Sequence, residues 1–166
     1  LFVILRMLSF DDDSGELDSE QVGLIMGKGY VISFQERAGD VFEPVRERIR
    51  GKKGKIVRQG PDYLLYALLD IVVDNYFSIL EKLGDRIELM DEEIIEDPSP
   101  RALQEIRLMK REMIVLRKSI WPLREVVTGL ERSEAGLVKK ATKVYLRDVY
   151  DHSIQVMETT DALRDM

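Results

Sequence analysis

Asp70 stands in an apolar run, flanked by Leu68, Leu69, Ile71, Val72 and Val73. A carboxylate buried there without a partner is costly, or is driven toward its protonated form. Two readings follow. Asp70 lies at the water-facing edge of an apolar stripe or caps a neighbouring element, or it is a ligand to a metal ion or ion-pair partner. A second grouping is RDVYDH, in which Asp148, Asp151 and His152 occupy positions i, i+3 and i+4 of one helical face. Carboxylates placed this way near a helix start suit a hard divalent cation that keeps some of its waters. They equally suit a solvated first turn, where acidic groups favour the helix dipole. His152 reads as a packing or hydrogen-bonding residue as readily as a ligand. A third grouping is the acidic stretch Glu88, Asp91, Glu92, Glu93, Glu96 and Asp97, which contains no basic residue. It is either a solvated face or an electrostatic attractor for cations.

Other chemistries have little to rest on. The chain has no cysteine and one histidine, which removes disulfides, thiolate metal sites and any site needing two histidines from one chain. No Ser or Cys nucleophile can be placed beside His152, and neither a P-loop nor a GxGxxG motif is present. The chain is therefore not read as an enzyme. DDDSGE (Asp11 to Glu16) departs from a calcium loop, since Gly15 falls at position 5 rather than 6 counted from Asp11; it reads as a hairpin turn. Arg46, Arg48, Arg50, Lys52, Lys53, Lys55 and Arg58 form a basic run with no aromatic residue for base stacking. It reads as a solvated helix end and loop. The formal net charge of -6 disfavours nucleic acid as a partner and favours cations.

The elements that must position these groups are of two kinds. The first third is α/β in character. Leu1 to Phe10, Gln21 to Met26 and Tyr30 to Gln35 are β-rich runs separated by turn signals, which predicts a small antiparallel sheet. Asp40 to Arg50 then reads as a short helix with Val41, Phe42, Val45 and Ile49 on one face, Asp40 as its cap and Gly51 as its stop. The remainder is helical. Leu69, Tyr76, Leu83 and Met90 recur every seven residues, interleaved with Val73, Leu80, Ile87 and Ile94. This is one apolar stripe on a long helix. Two prolines in EDPSP (Glu96 to Pro100) stop it. Ile106, Met113, Ile120, Val127 and the series Met109, Leu116, Leu123, Leu130 predict a second long helix, kinked at Pro122. The short connection makes the two an antiparallel hairpin, projecting beyond the first domain. A third helix is predicted from near Lys143, with Val149, Val156 and Leu163 seven apart. No stretch reaches the ~18 consecutive apolar residues expected of a membrane span, so the chain as it stands is expected to be soluble. Its start inside a strand and its end in mid-pattern suggest a longer parent.

Three stretches together resemble the CorA family of pentameric divalent-cation channels: DYLLYALLDIVVDNYF (Asp62 to Phe77), LRKSIWPLREV (Leu116 to Val126) and YLRDVYDH (Tyr145 to His152). SEQVGLIM (Ser19 to Met26) and GDVFEPVRERIR (Gly39 to Arg50) fit in order and spacing. The resemblance implies an α+β fold: a partly truncated αβα sandwich over 1–60, a long antiparallel helical hairpin over 61–137, and the start of a stalk helix over 138–166. It implies a homopentamer at the cytoplasmic face of the cell membrane, joined to the membrane by helices not in this chain. It also implies that magnesium, or cobalt, binds between neighbouring cytoplasmic domains and holds the pore closed. Asp148 matches the stalk-helix carboxylate of that regulatory site and Asp70 a second carboxylate near it. The family's Gly-Met-Asn pore signature is absent, and so are the acidic residues a neighbouring subunit contributes, so the site is expected to be incomplete in one chain. Alternatives are a related zinc transporter of the same superfamily and a helical-hairpin assembly scaffold without a metal role.

Overall fold

The computed structural model describes residues 1–11, 15–52, 54–96, 99–134 and 136–166, with the side chains of 92, 93 and 96 outside the described set. Three strands, β1 (Phe2–Phe10), β2 (Leu17–Met26) and β3 (Val31–Gln35), form an antiparallel sheet in the order β1-β2-β3. The register pairs Phe2 with Ile25, Phe10 with Leu17 and Met26 with Val31. The DDDSGE turn joins β1 to β2 as expected; its central residues 12–14 lie outside the described set, but Asp11 and Gly15 close it through backbone hydrogen bonds.

Side chains alternate across a strand, so a half-buried sheet reads apolar on one face only. Here both faces are apolar. Val3, Leu5, Met7, Val22, Leu24 and Met26 are buried on the face covered by α2 (Pro61–Glu96) and α3 (Pro100–Arg132). On the other, Phe2, Ile4, Ile32 and Phe34 remain 60%, 44%, 45% and 55% exposed. Gly23 lies on that face beneath Phe2, where an added Cβ would come within 3.2 Å of the ring. The sandwich is thus one-sided among the described residues.

Helix α1 spans Glu43–Arg50, three residues shorter than the sequence suggests. Asp40 does not cap it as the N-cap residue. It instead accepts from the Phe42 N–H at 2.8 Å and pairs with Arg46. A 3-10 turn, Lys55–Val57, follows.

The long helices match the periodic series. Leu69, Tyr76 and Leu83 on α2 and Leu116, Ile120, Leu123 and Val127 on α3 are fully buried. They share one hydrophobic cluster with the sheet and with Val149 and Val156 of α4 (Lys140–Asp165). The segment Pro61–Asp91 is long and apolar enough to cross a membrane, contrary to the sequence expectation, but 56% of its most apolar stretch is buried within the protein, as in a core helix. α3 continues through Pro122, which lies on its exposed side, where the carbonyl left unbonded one turn earlier meets water. Ser99 is the N-cap of α3, and its Oγ accepts from the Ala102 N–H at 3.3 Å. Ser99→Ala is expected to cost about 1 kcal/mol, read as a small drop in melting temperature.

α4 packs against both α2 and α3. Its seam with α3 carries cross-helix contacts at seven-residue intervals: Arg117 pairs with Asp161 at 2.9 Å, Arg124 lies between the Trp121 and Tyr150 rings, and Arg147 pairs with Glu131 at 3.0 Å. The N-terminus of α4 is held from elsewhere in the chain. Its N-cap, Lys139, has no capping side chain of its own. Asp62, in the first turn of α2, accepts from the Lys139 N–H at 3.1 Å and from Thr142 Oγ1 at 2.6 Å.

Candidate divalent-cation site

Where α2 meets α4, two short series of side chains face one another. α2 supplies Tyr66, Asp70 and Asp74, each one turn apart; α4 supplies Tyr145, Asp148 and His152. Tyr66 Oη donates to Asp70 Oδ2 at 3.1 Å. The Tyr66 ring lies 5.2 Å from both Tyr63 and Tyr145, and Tyr145 meets Tyr63 edge-on at 5.4 Å. Lys55 Nζ, from the 3-10 turn, donates to Tyr145 Oη at 2.6 Å. His152 stands edge-on to Phe77 at 6.0 Å.

The electrostatics follow from this packing. Burial pushes the Asp70 carboxyl above its ordinary value and the charge of Asp74 adds to the rise, while the Tyr66 hydrogen bond and the charges of His152 and Arg48 oppose it. The Tyr66 hydroxyl is driven well above its ordinary range, first by burial and then by the charge and hydrogen bond of Asp70, with a further contribution from the charge of Asp148. It is therefore a neutral donor at physiological pH. Of the two aspartates named from sequence, Asp70 bonds to Tyr66 directly, and Asp148 makes only the smallest of these contributions.

Asp70 is half-buried and Asp148 exposed. Asp148 is not near a helix start as its motif suggests. α4 begins at Lys140, so Asp148 lies in the third turn, beyond the reach of the helix dipole. The acidic stretch sits at the far end of α2 from Asp70, and the side chains of Glu92, Glu93, Glu96 and Asp97 lie outside the described set. Among the described residues no group of three or more Asp, Glu, His or Cys is placed to hold a metal ion. A hard divalent cation collects about six or more oxygen ligands, counting its waters. Neither Tyr66 nor Tyr145 stands out as a site residue in the sequence, and Lys55, read there as part of a solvated basic run, is tethered to Tyr145. The available signal was a Tyr one turn before each aspartate, Tyr66 before Asp70 and Tyr145 before Asp148.

A carboxyl whose pKa is raised by folding stabilises the native state below its unfolded pKa and loses that contribution as pH rises through the folded value. Ionised Asp70 is then a net cost at neutral pH in the absence of cation. Asp70→Asn, which keeps an acceptor for Tyr66, is expected to raise the melting temperature in chelator at pH 7, with the gain vanishing at acid pH. A lower melting temperature at pH 7 would show that the charge is already satisfied.

The family model "CorA-like Mg2+ transporter protein" matches residues 1–166. The chain belongs to the CorA family. It is 48% identical over 166 residues to the cobalt/magnesium transport protein CorA of Thermotoga maritima, covering 100% of this chain and 47% of that protein. The chain thus spans about half the length of the curated CorA relatives it matches. In fold it superposes on the soluble domain of CorA from Methanocaldococcus jannaschii with a TM-score of 0.86, at 18% identity, over 99% of this chain and 65% of that one. The cytoplasmic domain of ZntB from Vibrio parahaemolyticus gives 0.80 at 16% identity, over 99% and 63%. CorA and ZntB domains therefore share this α+β architecture, and fold alone does not separate them.

Proposed function

We propose that this chain is the cytoplasmic, cation-sensing domain of a pentameric magnesium/cobalt channel-transporter. Magnesium or cobalt bound between neighbouring copies holds the pore closed. What supports this reading is that half-buried Asp70 on α2 and exposed Asp148 on α4 stand on two helices that pack together, with Tyr66 bonded to the first and packed on Tyr145, one turn before the second. A second copy supplies further ligands. The name of the Thermotoga relative, a cobalt/magnesium transport protein, gives the ion class. The ligands are carboxylates without Cys, which suit a hard hydrated cation better than zinc.

The mechanism is a shift of populations. With cation present, carboxylates of adjacent copies are drawn together and the closed ring is favoured. When the cation leaves, like charges face one another and the ring loosens. Asp148 is the principal ligand and Asp70 the supporting one. The test is magnesium flux through the whole transporter as internal magnesium is raised. Wild type is expected to close; the Asp70→Ala, Asp148→Ala double variant is expected to keep conducting. Closure of the double variant at the wild-type concentration would reject the reading.

A further inference from the structure

We propose that Tyr66 is a positioning residue for the cation site, holding the Asp70 carboxylate by one oxygen so that the other is presented to the ion. The inference rests on the reading of Asp70 and Asp148 as cation ligands and adds a residue to it. Three features carry it. Tyr66 Oη donates to Asp70 Oδ2 at 3.1 Å, and ligating carboxylates are commonly oriented by such a donor. The Tyr66 ring is packed against both Tyr63 and Tyr145, in a cluster of three rings whose centroids lie 5.2–5.4 Å apart. Tyr145 lies one turn before Asp148 and is itself tethered by Lys55. Tyr66 is thus the side chain that bonds to the α2 carboxylate while packing on the α4 turn that carries the other one. It sets the two carboxylates relative to each other. The charged groups around Asp70 are Asp74, His152 and Arg48, and none of them bridges the two helices in this way.

Magnesium titration calorimetry of the whole transporter tests it. Tyr66→Phe keeps the ring and its packing but loses the donor. It is expected to bind magnesium about tenfold more weakly, the lower end of the loss on removing an orienting group, with only a small drop in its melting temperature in chelator from the lost hydrogen bond. Tyr63→Phe shares the cluster without contacting Asp70 and is expected to bind as wild type does. In an Asp70→Asn background, Tyr66→Phe is expected to cause no further loss, because its effect runs through that carboxylate. Equal losses in both backgrounds, or equal losses from Tyr63→Phe and Tyr66→Phe, would overturn the positioning role and leave a merely structural one. Wild-type affinity in Asp148→Ala would instead overturn the underlying site, and Tyr66 with it.

Discussion

Asp148→Ala is expected to abolish most of the stabilisation that magnesium or cobalt gives the assembled protein. A ligand present at a hundred times its dissociation constant stabilises the state it binds by about 2.7 kcal/mol. For a domain of this size that corresponds to a melting-temperature rise on the order of 5–10 °C. Wild type is expected to show such a rise on moving from chelator to excess magnesium, and Asp148→Ala little of it. Asp70→Ala is expected to give an intermediate shift, since Asp70 supports rather than leads. The melting temperature of Asp148→Ala in chelator should equal that of wild type, because this side chain is exposed. A full magnesium shift in the variant would remove Asp148 from the site.

The second large effect concerns the joint between the starts of α2 and α4. Asp62→Ala is expected to destabilise the fold by about 3 kcal/mol, the range for removing one partner of a buried, hydrogen-bonded charge. The Asp62 side chain is 1% exposed. Its loss leaves the Lys139 N–H and the Thr142 hydroxyl without the acceptor they share. The ammonium of Lys139 is 3.9 Å away and largely solvated, so the ion pair contributes little. The weight falls on the two hydrogen bonds. Thr142→Val, which removes one of them, is expected to cost about 1 kcal/mol. Thermal melts of both variants check this; Asp62→Ala melting within a degree of wild type would show that α4 does not depend on a borrowed cap.

The same contact explains what the sequence could and could not disclose. The stripes of α2 and α3 were legible because each repeats every seven residues and each buried residue reinforces the next: Leu69, Tyr76 and Leu83, or Leu116 and Leu123. The break between them was legible because proline is incompatible with a helix interior. The start of α4 was placed three residues late because no local signal marks it. Lys139 cannot cap, and the acceptor lies 77 residues earlier in the chain. The metal candidates divide in the same way. Asp70 was visible as a charge among aliphatics and Asp148 as part of an acidic helix face. Tyr66 and Tyr145 were not, because their meaning arises only when α2 and α4 pack. The apolar outer face of the sheet was legible only in part: the unbroken run Phe2 to Leu5 marks a strand apolar on both faces, but only the register sets Phe2, Gly23 and Phe34 side by side.

The heptad-spaced contacts between α3 and α4 have a mechanical consequence. Sliding α4 by one turn would set Arg164 or Asp165 opposite Arg117 in one direction, and Glu158 or Met157 in the other. Either displacement breaks the Arg117–Asp161 pair and takes the Tyr150 ring away from the Arg124 guanidinium. The two helices are therefore keyed together like a splined shaft. An axial displacement of α4 strains the whole seam at once, from Arg117 through Arg124 to Glu131.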